Sequence, residues 1–322
     1  MKLLPVFVVL AAAPWVLGSY EVSLLTRILV LGLLAMSVNL LTGVAGLPTL
    51  GQAAYFGVGA YAAALLGRAV TPVGVVQVLV AAAVGALGAL VTGAVAVRAR
   101  GITFIMITVA IGELTYVTAV TWKGVTNGSD GMAAHAVSPV WGLPAIRLDG
   151  LVYLWVLAVF VVLFGVVAFA VRSPFGLALR GIADNEARMR AGGYPVYRYL
   201  LTAYAGAGAL AGAAGALWVS TQRFVAPADL GFAVSTMALI AVILGGVGSM
   251  GGALLGTAVV VLVRDYLANE LGGDLVGHGA LVLGVVFLLA VYAMPRGFAG
   301  LLDRFRSGRR KEHTPWIRHA RS

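Results

Sequence analysis

Across 322 residues, 61% are apolar and only 11% charged, and the mean hydropathy is +0.99. A water-soluble domain carries roughly a quarter of its residues as charges, so the composition excludes one and makes lipid the solvent. The net charge of +10 does not mark a nucleic-acid binder, because most basic residues sit in loops and a tail beside apolar segments, and the absence of cysteine excludes disulfides, thiolate catalysis and cysteine-ligated metals.

A bilayer core about 30 Å thick takes about 20 apolar residues per helical crossing. Stretches of this kind run over 3–19, 22–42, 50–67, 72–97, 101–121, 150–171, 200–219, 232–248, 250–268 and 276–294. They predict an all-α membrane protein, a polytopic helical bundle of about ten transmembrane segments. The first has Lys2 as its only basic flank and a long uninterrupted run, which reads as a retained helix rather than a cleaved secretory signal. Arg27 lies near the outer end of the second and reads as a snorkelling anchor. Forty-three glycines suit a bundle in which small residues let helices approach closely.

With both termini cytoplasmic, the inside loops and tail hold 16 of the 22 lysines and arginines, among them Arg98, Arg100, Arg172, Arg180, Arg188, Arg190 and Arg198. Arg27, Arg68, Lys123, Arg147, Arg223 and Arg264 fall outside. That bias favours an even number of crossings. It divides the chain into a transmembrane domain over 1–295 and a basic cytoplasmic tail over 296–322 that can anchor on anionic lipid.

Two glycine-rich interruptions lie in matching positions of the two halves. Leu41-Thr42-Gly43-Val44-Ala45-Gly46-Leu47-Pro48-Thr49-Leu50-Gly51-Gln52 is the first, and Leu244-Gly245-Gly246-Val247-Gly248-Ser249-Met250-Gly251-Gly252 the second. Paired broken segments point to a binding site at a repeat interface, and backbone freed within a membrane must be covered by protein or line a wet cavity. Asn39, Thr42, Thr49 and Gln52 add polar groups to the first break and favour a pathway lining there. The second reads equally as a tight interhelical turn.

No chemistry of bond making is legible. The three lysines, Lys2, Lys123 and Lys311, do not follow a glycine, so no phosphate-binding loop of the Gly-x-x-x-x-Gly-Lys-Ser/Thr type is present. His135, His278, His313 and His319 have no metal-site spacing. Catalytic and metal-ligating residues are therefore expected to be absent. Glu113 is the one carboxylate well inside an expected span, either a substrate or proton site or a structural hydrogen-bonding group.

The outer loop 122–149 carries the turn residues Asn127-Gly128-Ser129-Asp130-Gly131. The inside loop 172–199 begins with Ser173-Pro174, a cap followed by proline at the first helical position. Phe175, Leu179, Ile182 and Met189 then share one helical face, Arg180, Asp184, Glu186, Arg188 and Arg190 take much of the rest, and Gly192-Gly193 stops the helix. This amphipathic helix either lies on the lipid surface or docks its apolar stripe into a groove on a cytoplasmic partner.

At this loop the sequence resembles the permease subunits of branched-chain amino-acid ABC importers, the LivM type. Four stretches carry the likeness, in the family's order: Asn39 to Gly46 running through Gly57-Val58-Gly59-Ala60-Tyr61; Ile107-Thr108-Val109-Ala110-Ile111-Gly112-Glu113; Ser173 to Arg180 through Asp184-Asn185-Glu186-Ala187; and Leu244 to Gly252. The resemblance implies a non-enzymatic transport subunit of the bacterial inner membrane. Its implied partners are a second permease, two cytoplasmic ATPases that bind ATP and magnesium, and an external substrate-binding protein, with no cofactor on this chain and no nucleic acid. It implies a coupling helix at about 174–191, with Leu179, Arg180, Ile182, Asp184, Asn185, Glu186 and Met189 facing that role. Asn39, Thr42, Gly46, Thr49, Gln52 and Glu113 are the expected substrate pathway. Leucine, isoleucine and valine are the implied cargo; the same architecture importing urea, a sugar or a nucleoside is the alternative, and an ion-coupled secondary transporter stands behind it.

Overall fold

The computed structural model describes residues 10–15, 17–69, 73–135, 138, 149–270 and 284. The expected first segment is thus described only from residue 10, where 10–15 are helical. The expected segment 276–294, apart from residue 284, and the tail 296–322 lie outside the described residues.

The described chain is a helical bundle. Helix α1 (Ser19–Asn39) runs into one π-helical turn (Leu40–Val44), and after a non-helical passage come α2 (Gln52–Ala69), α3 (Gly74–Ala96) and α4 (Ile102–Thr121). Then follow α5 (Asp149–Arg172), α6 (Pro174–Asp184), α7 (Glu186–Ala191), α8 (Val196–Gln222), α9 (Phe232–Gly245) and α10 (Met250–Glu270). Among the described residues five helices are long and apolar enough to cross a bilayer, namely 19–44, 74–96, 102–121, 150–172 and 196–222. A sixth crossing results if α9 and α10 form one span.

The described residues do not reproduce the count of ten, for a geometric reason. The stretches 232–248 and 250–268, expected as separate crossings, are joined by a 119° bend. At 14 residues α9 rises only about 21 Å, short of a core about 30 Å thick. Helix α2, 18 residues, starts from the first break rather than from an aqueous surface.

Helices α1 and α8 form the centre, with 78% and 72% of their spanning windows buried, whereas α4 has 17% buried and lies at the rim. Among the buried residues of α3, Gln77, Ala81, Gly85, Ala89 and Gly93 recur every four positions. This small-residue stripe meets Gly208 and Gly212 of α8, where a Cβ would collide with the backbone of Gly85 and Ala81. On its other side α8 presents Gly215 to Phe56 and Ala60 of α2. In lipid, where hydrophobicity gives helices no reason to associate, such close backbone approach supplies the attraction.

The loop 122–149 contains one element outside the all-helical expectation. Asn127 (φ 64°) and Gly128 (φ 66°) turn the chain left-handed, Asn127 Nδ2 donates to the Gly131 carbonyl at 2.9 Å, and the short strand β1 (Met132–Ala133) pairs antiparallel with β2 (Phe224–Val225) after α8. Residues 136–137 and 139–148 of that loop are outside the described residues.

Candidate functional site

The first break keeps its backbone satisfied by borrowing partners from other helices. Once α1 has ended in its π turn, the Leu50 amide donates to Thr108 Oγ1 of α4 at 3.3 Å, and the Ala53 amide donates to Ser235 Oγ of α9 at 3.0 Å. Gly51 presses against the Thr108 backbone so closely that no Cβ fits. Thr108 lies about 9 Å along α4 from its start, so the passage reaches well inside the bundle. Thr49 is buried, its hydroxyl accepting from the Gly51 amide at 3.3 Å.

The two breaks meet. Asn39 Oδ1, at the end of α1, accepts from the Gly248 amide in the bend between α9 and α10 at 2.8 Å, 209 residues away in sequence. A Cβ on Gly43 would strike the Gly248 backbone, and Gly248 itself holds φ 87°, a conformation that glycine adopts without steric penalty. The second break is therefore more than an ordinary turn, since it forms a wall of the first.

Along the first break several polar atoms are buried and have no hydrogen-bond partner among the described residues. They are Asn39 Nδ2, Thr42 Oγ1, and both Gln52 Nε2 and Oε1. Asn39 is 1% exposed and Gln52 0%. A buried amide left unpaired costs about 1–3 kcal/mol for each group, so these atoms are unmet hydrogen-bonding capacity. Of the expected pathway residues, Asn39 lies at the junction and Thr42 next to Gly43, whereas Thr49 and Gln52 are buried at the end of the passage, where α2 begins. Glu113 does not share that setting: it is exposed on the rim helix α4. Gly46 is exposed at the end of the passage with φ 70°, and a Cβ there would lie 2.9 Å from the Cβ of Ala183 in α6.

That contact connects the first break to the loop 172–199. Helix α6 starts as expected, with Ser173 extended (φ −72°, ψ 168°) and Pro174 at its first turn. It differs from the expectation in two respects. The single helix over 174–191 is two, because Asn185 is extended (φ −158°, ψ 95°) and its Oδ1 caps α7 by accepting from the Arg188 amide at 2.9 Å. The apolar stripe also faces the protein's own core: Leu179 is 0% exposed and Ile182 4%, while Phe175 stacks on Tyr199 of α8 with centroids 5.6 Å apart. These side chains hold α6 to the bundle and are not free to enter a partner. Met189 closes on Gly181 across the corner. The outward surface includes Leu177, Arg180, Asp184, Asn185 and Arg188.

Glu186 fastens this corner to the turn between α3 and α4. Arg100 donates Nε to Glu186 Oε2 at 2.6 Å and Nη2 to Oε1 at 3.1 Å, and Arg190 Nη2 donates to Oε1 as well. Arg100 also donates to the carbonyls of Val97 and Ala99. The Arg100 hydrogen bond, helped by the charges of both arginines and opposed by partial burial, holds the Glu186 carboxyl below its ordinary range. At the opposite end of the bundle, burial raises the Asp229 carboxyl, which accepts from the Ala226 amide at 2.9 Å.

Several participants escaped the sequence reading. Thr108 and Ser235 look like ordinary helix hydroxyls, and their signal is only that each lies opposite a glycine-rich break in the fold. Arg27 is ion-paired with Asp265 of α10 at 3.2 Å, so it joins two helices instead of serving as a lone anchor. Among the described residues no group of three or more metal-ligating side chains comes together.

The family model described as branched-chain amino acid transport system / permease component matches residues 21–291. The chain is similar to the high-affinity branched-chain amino acid transport system permease protein LivM of Salmonella typhimurium, 26% identical over 317 residues, covering 92% of this chain and 73% of that one. It is equally similar to LivM of Escherichia coli K12, 26% identical over 321 residues with the same coverage. The permease protein BraD of Pseudomonas aeruginosa is 30% identical over 131 residues, 40% of this chain and 42% of that one. No solved structure matches the chain.

Proposed function

The chain belongs to the family of permease components of branched-chain amino acid transport systems, and on that premise we propose that it is the substrate-conducting subunit of an ATP-driven importer of leucine, isoleucine and valine. As a member of that family it is a multi-pass membrane transport subunit. The fuller reading places it in the bacterial inner membrane with α6 and α7 on the cytoplasmic side. There it works with a second permease, two ATPase subunits that bind ATP and magnesium, and an external binding protein that delivers the cargo.

The observation that carries the mechanism is the contact between Gly46 and Ala183, which sets the first break directly against α6. A push on the outward surface of α6, at Arg180, Asp184 and Asn185, is transmitted through the buried Leu179 and Ile182 to the passage 45–51 and from there to the junction. ATP can bias the exposure of that junction only insofar as the ATPase binds the two permease conformations with different affinity. The unpaired amide atoms of Asn39 and Gln52 suit a zwitterionic guest: amide N–H groups donate to a carboxylate, and Gln52 Oε1 accepts from an ammonium.

The test is initial-rate uptake of labelled leucine in cells with and without the gene, with urea and a sugar as competitors. Gene-dependent leucine uptake that survives a protonophore while ATP is maintained is expected. Substituting Gln52→Leu should then lower uptake about tenfold or more, since one lost charge-assisted hydrogen bond is worth about 1.5–3 kcal/mol. Uptake that collapses with the proton gradient at constant ATP overturns the ATP-driven mechanism, and unchanged leucine uptake with loss of urea or sugar uptake replaces the cargo.

A further inference from the structure

We propose that the recess between the end of α3 and α7 is a headgroup site for an anionic phospholipid. The recess encloses about 560 Å³ and brings together Arg98, Arg100, Arg190, Glu186 and Tyr197. Three guanidinium groups face one carboxylate, a surplus of two positive charges. Glu186 is taken up by the two-bond pair with Arg100 and by Arg190. Arg98 has no ion pair among the described residues; its guanidinium carbon lies 5.7 Å from the centre of the Tyr197 ring.

Position favours lipid over a dissolved anion. Arg98 and Arg100 follow directly on the spanning stretch 74–96, and Tyr197 is in the first turn of the stretch 196–222, so the recess lies where two spans leave the hydrocarbon. The Tyr197 hydroxyl donates to the Ala94 carbonyl at 3.1 Å, the amphipathic placement that tyrosine takes at a membrane interface. An apolar track also leads to the recess. Leu87, Val91 and Val95 are 60%, 73% and 65% exposed and lie at i, i+4 and i+8 on α3. The Arg98 amide donates to the Val95 carbonyl at 3.2 Å, which prolongs the helical turn and sets Arg98 next on that same row. A dissolved phosphate would use only the recess, whereas a phospholipid uses the recess for its headgroup and the track for an acyl chain. The surplus charge selects an anionic headgroup, because a zwitterionic one brings an ammonium of its own into the same basic surroundings.

The proposal rests on the membrane-spanning reading of the chain and is independent of its cargo. Full-length protein in detergent is titrated with an equimolar mixture of phosphatidylglycerol and phosphatidylcholine, and bound lipid is counted by native mass spectrometry. The wild type should retain phosphatidylglycerol preferentially. In the Arg98→Gln/Arg190→Gln variant that binding should weaken roughly thirtyfold, each basic group contributing about fivefold. Arg98→Lys should keep the preference. Arg68→Gln, a charge removed at the far end of α2, should leave it unchanged. The double variant keeps the Arg100–Glu186 pair, and its elution profile and helical circular dichroism report its fold. Equal retention of the two lipids by the wild type overturns the proposal. An equal loss in Arg68→Gln overturns it too, by tracing the preference to net charge. Displacement of the bound lipid by excess inorganic phosphate does the same, by making the recess a site for dissolved anions.

Discussion

Replacing Gly46 by alanine isolates the mechanical link between the first break and α6. Gly46 has φ 70°, where an L-residue is disfavoured by about 1–2 kcal/mol, and the new Cβ would stand 2.9 Å from the Cβ of Ala183. Two carbons in van der Waals contact stay about 3.5–4.0 Å apart. The two segments must therefore separate by roughly half an ångström or more, which loads α6 against the side chains, Leu179 and Ile182, that hold it to the bundle. Gly193→Ala is the matched control, since Gly193 has φ 80° with nothing within 4 Å of an added Cβ. Both variants pay the conformational penalty, which leaves a domain stable by 5–15 kcal/mol folded, but only one loads α6. With the permease pair, the ATPases and the binding protein in liposomes, the assay is leucine transported per ATP hydrolysed. Gly46→Ala should lower this ratio severalfold while Gly193→Ala keeps the wild-type ratio. Equal ratios in the two variants, with equal expression, would refute transmission through the Gly46–Ala183 contact.

Three further perturbations follow from other contacts. Glu186 has its carboxyl held below the ordinary value near 4.5, so its contribution to stability is complete above that value and is lost as pH falls through the depressed one. Thermal melts of the wild type below about pH 4.5 should fall more steeply than those of Glu186→Gln, and parallel curves would contradict the Arg100 clamp. Removing Arg27 alone (Arg27→Met) leaves Asp265 without its ion-pair partner and should destabilise by about 1 kcal/mol or less, the scale of an exposed ion pair; adding Asp265→Leu should recover most of the lost melting temperature. Gly212→Val would drive a side chain into the Ala81 and Gly85 backbone and should abolish recovery of folded protein from detergent, whereas Gly206→Ala, with open space around it, should be neutral or stabilise by about 0.5–1 kcal/mol.

The class of the protein was legible in composition alone, and most helices were legible within a few residues because apolar length is a local property. The start of α6 was readable for the same reason, since Ser173 and Pro174 act on their own turn. What escaped depended on pairing across the fold. The stripe of Leu179 and Ile182 had the periodicity of an amphipathic helix, but periodicity does not say whether the buried face meets a partner or the chain's own core. Asn185 was expected inside one coupling helix over 174–191, yet its cap on the Arg188 amide divides that helix. Glu113, set apart in sequence by its charge, lies on the exposed rim, while Thr108, unremarkable in sequence, closes the first break. A 119° bend follows Gly245, and apolar length alone does not tell such a bent pair from two separate spans.

The same small residues do opposite work in the two parts of the molecule, and that division indicates where movement is permitted. Along α2, α3 and α8, glycines lie inside regular helices against neighbouring backbone, so any sliding of these helices forces atoms into contact, and the block must move as a unit. At the breaks, Gly46, Gly246 and Gly248 have positive φ, and the junction they frame contains unpaired polar atoms in place of a closed hydrogen-bond ladder. Little regular structure has to be broken for the passage 45–51 or the bend after α9 to rearrange, and a bound guest offers compensating hydrogen bonds. A change of access confined to the junction, driven from α6 and braced by the rigid block, therefore requires far less than the separation of packed helices. Hydrogen exchange should show it directly: amides of 45–51 and 246–249 should exchange orders of magnitude faster than those of 207–216, and slow on addition of cargo. Uniform protection across both regions would mean that the junction is as rigid as the block, and the division of labour would fail.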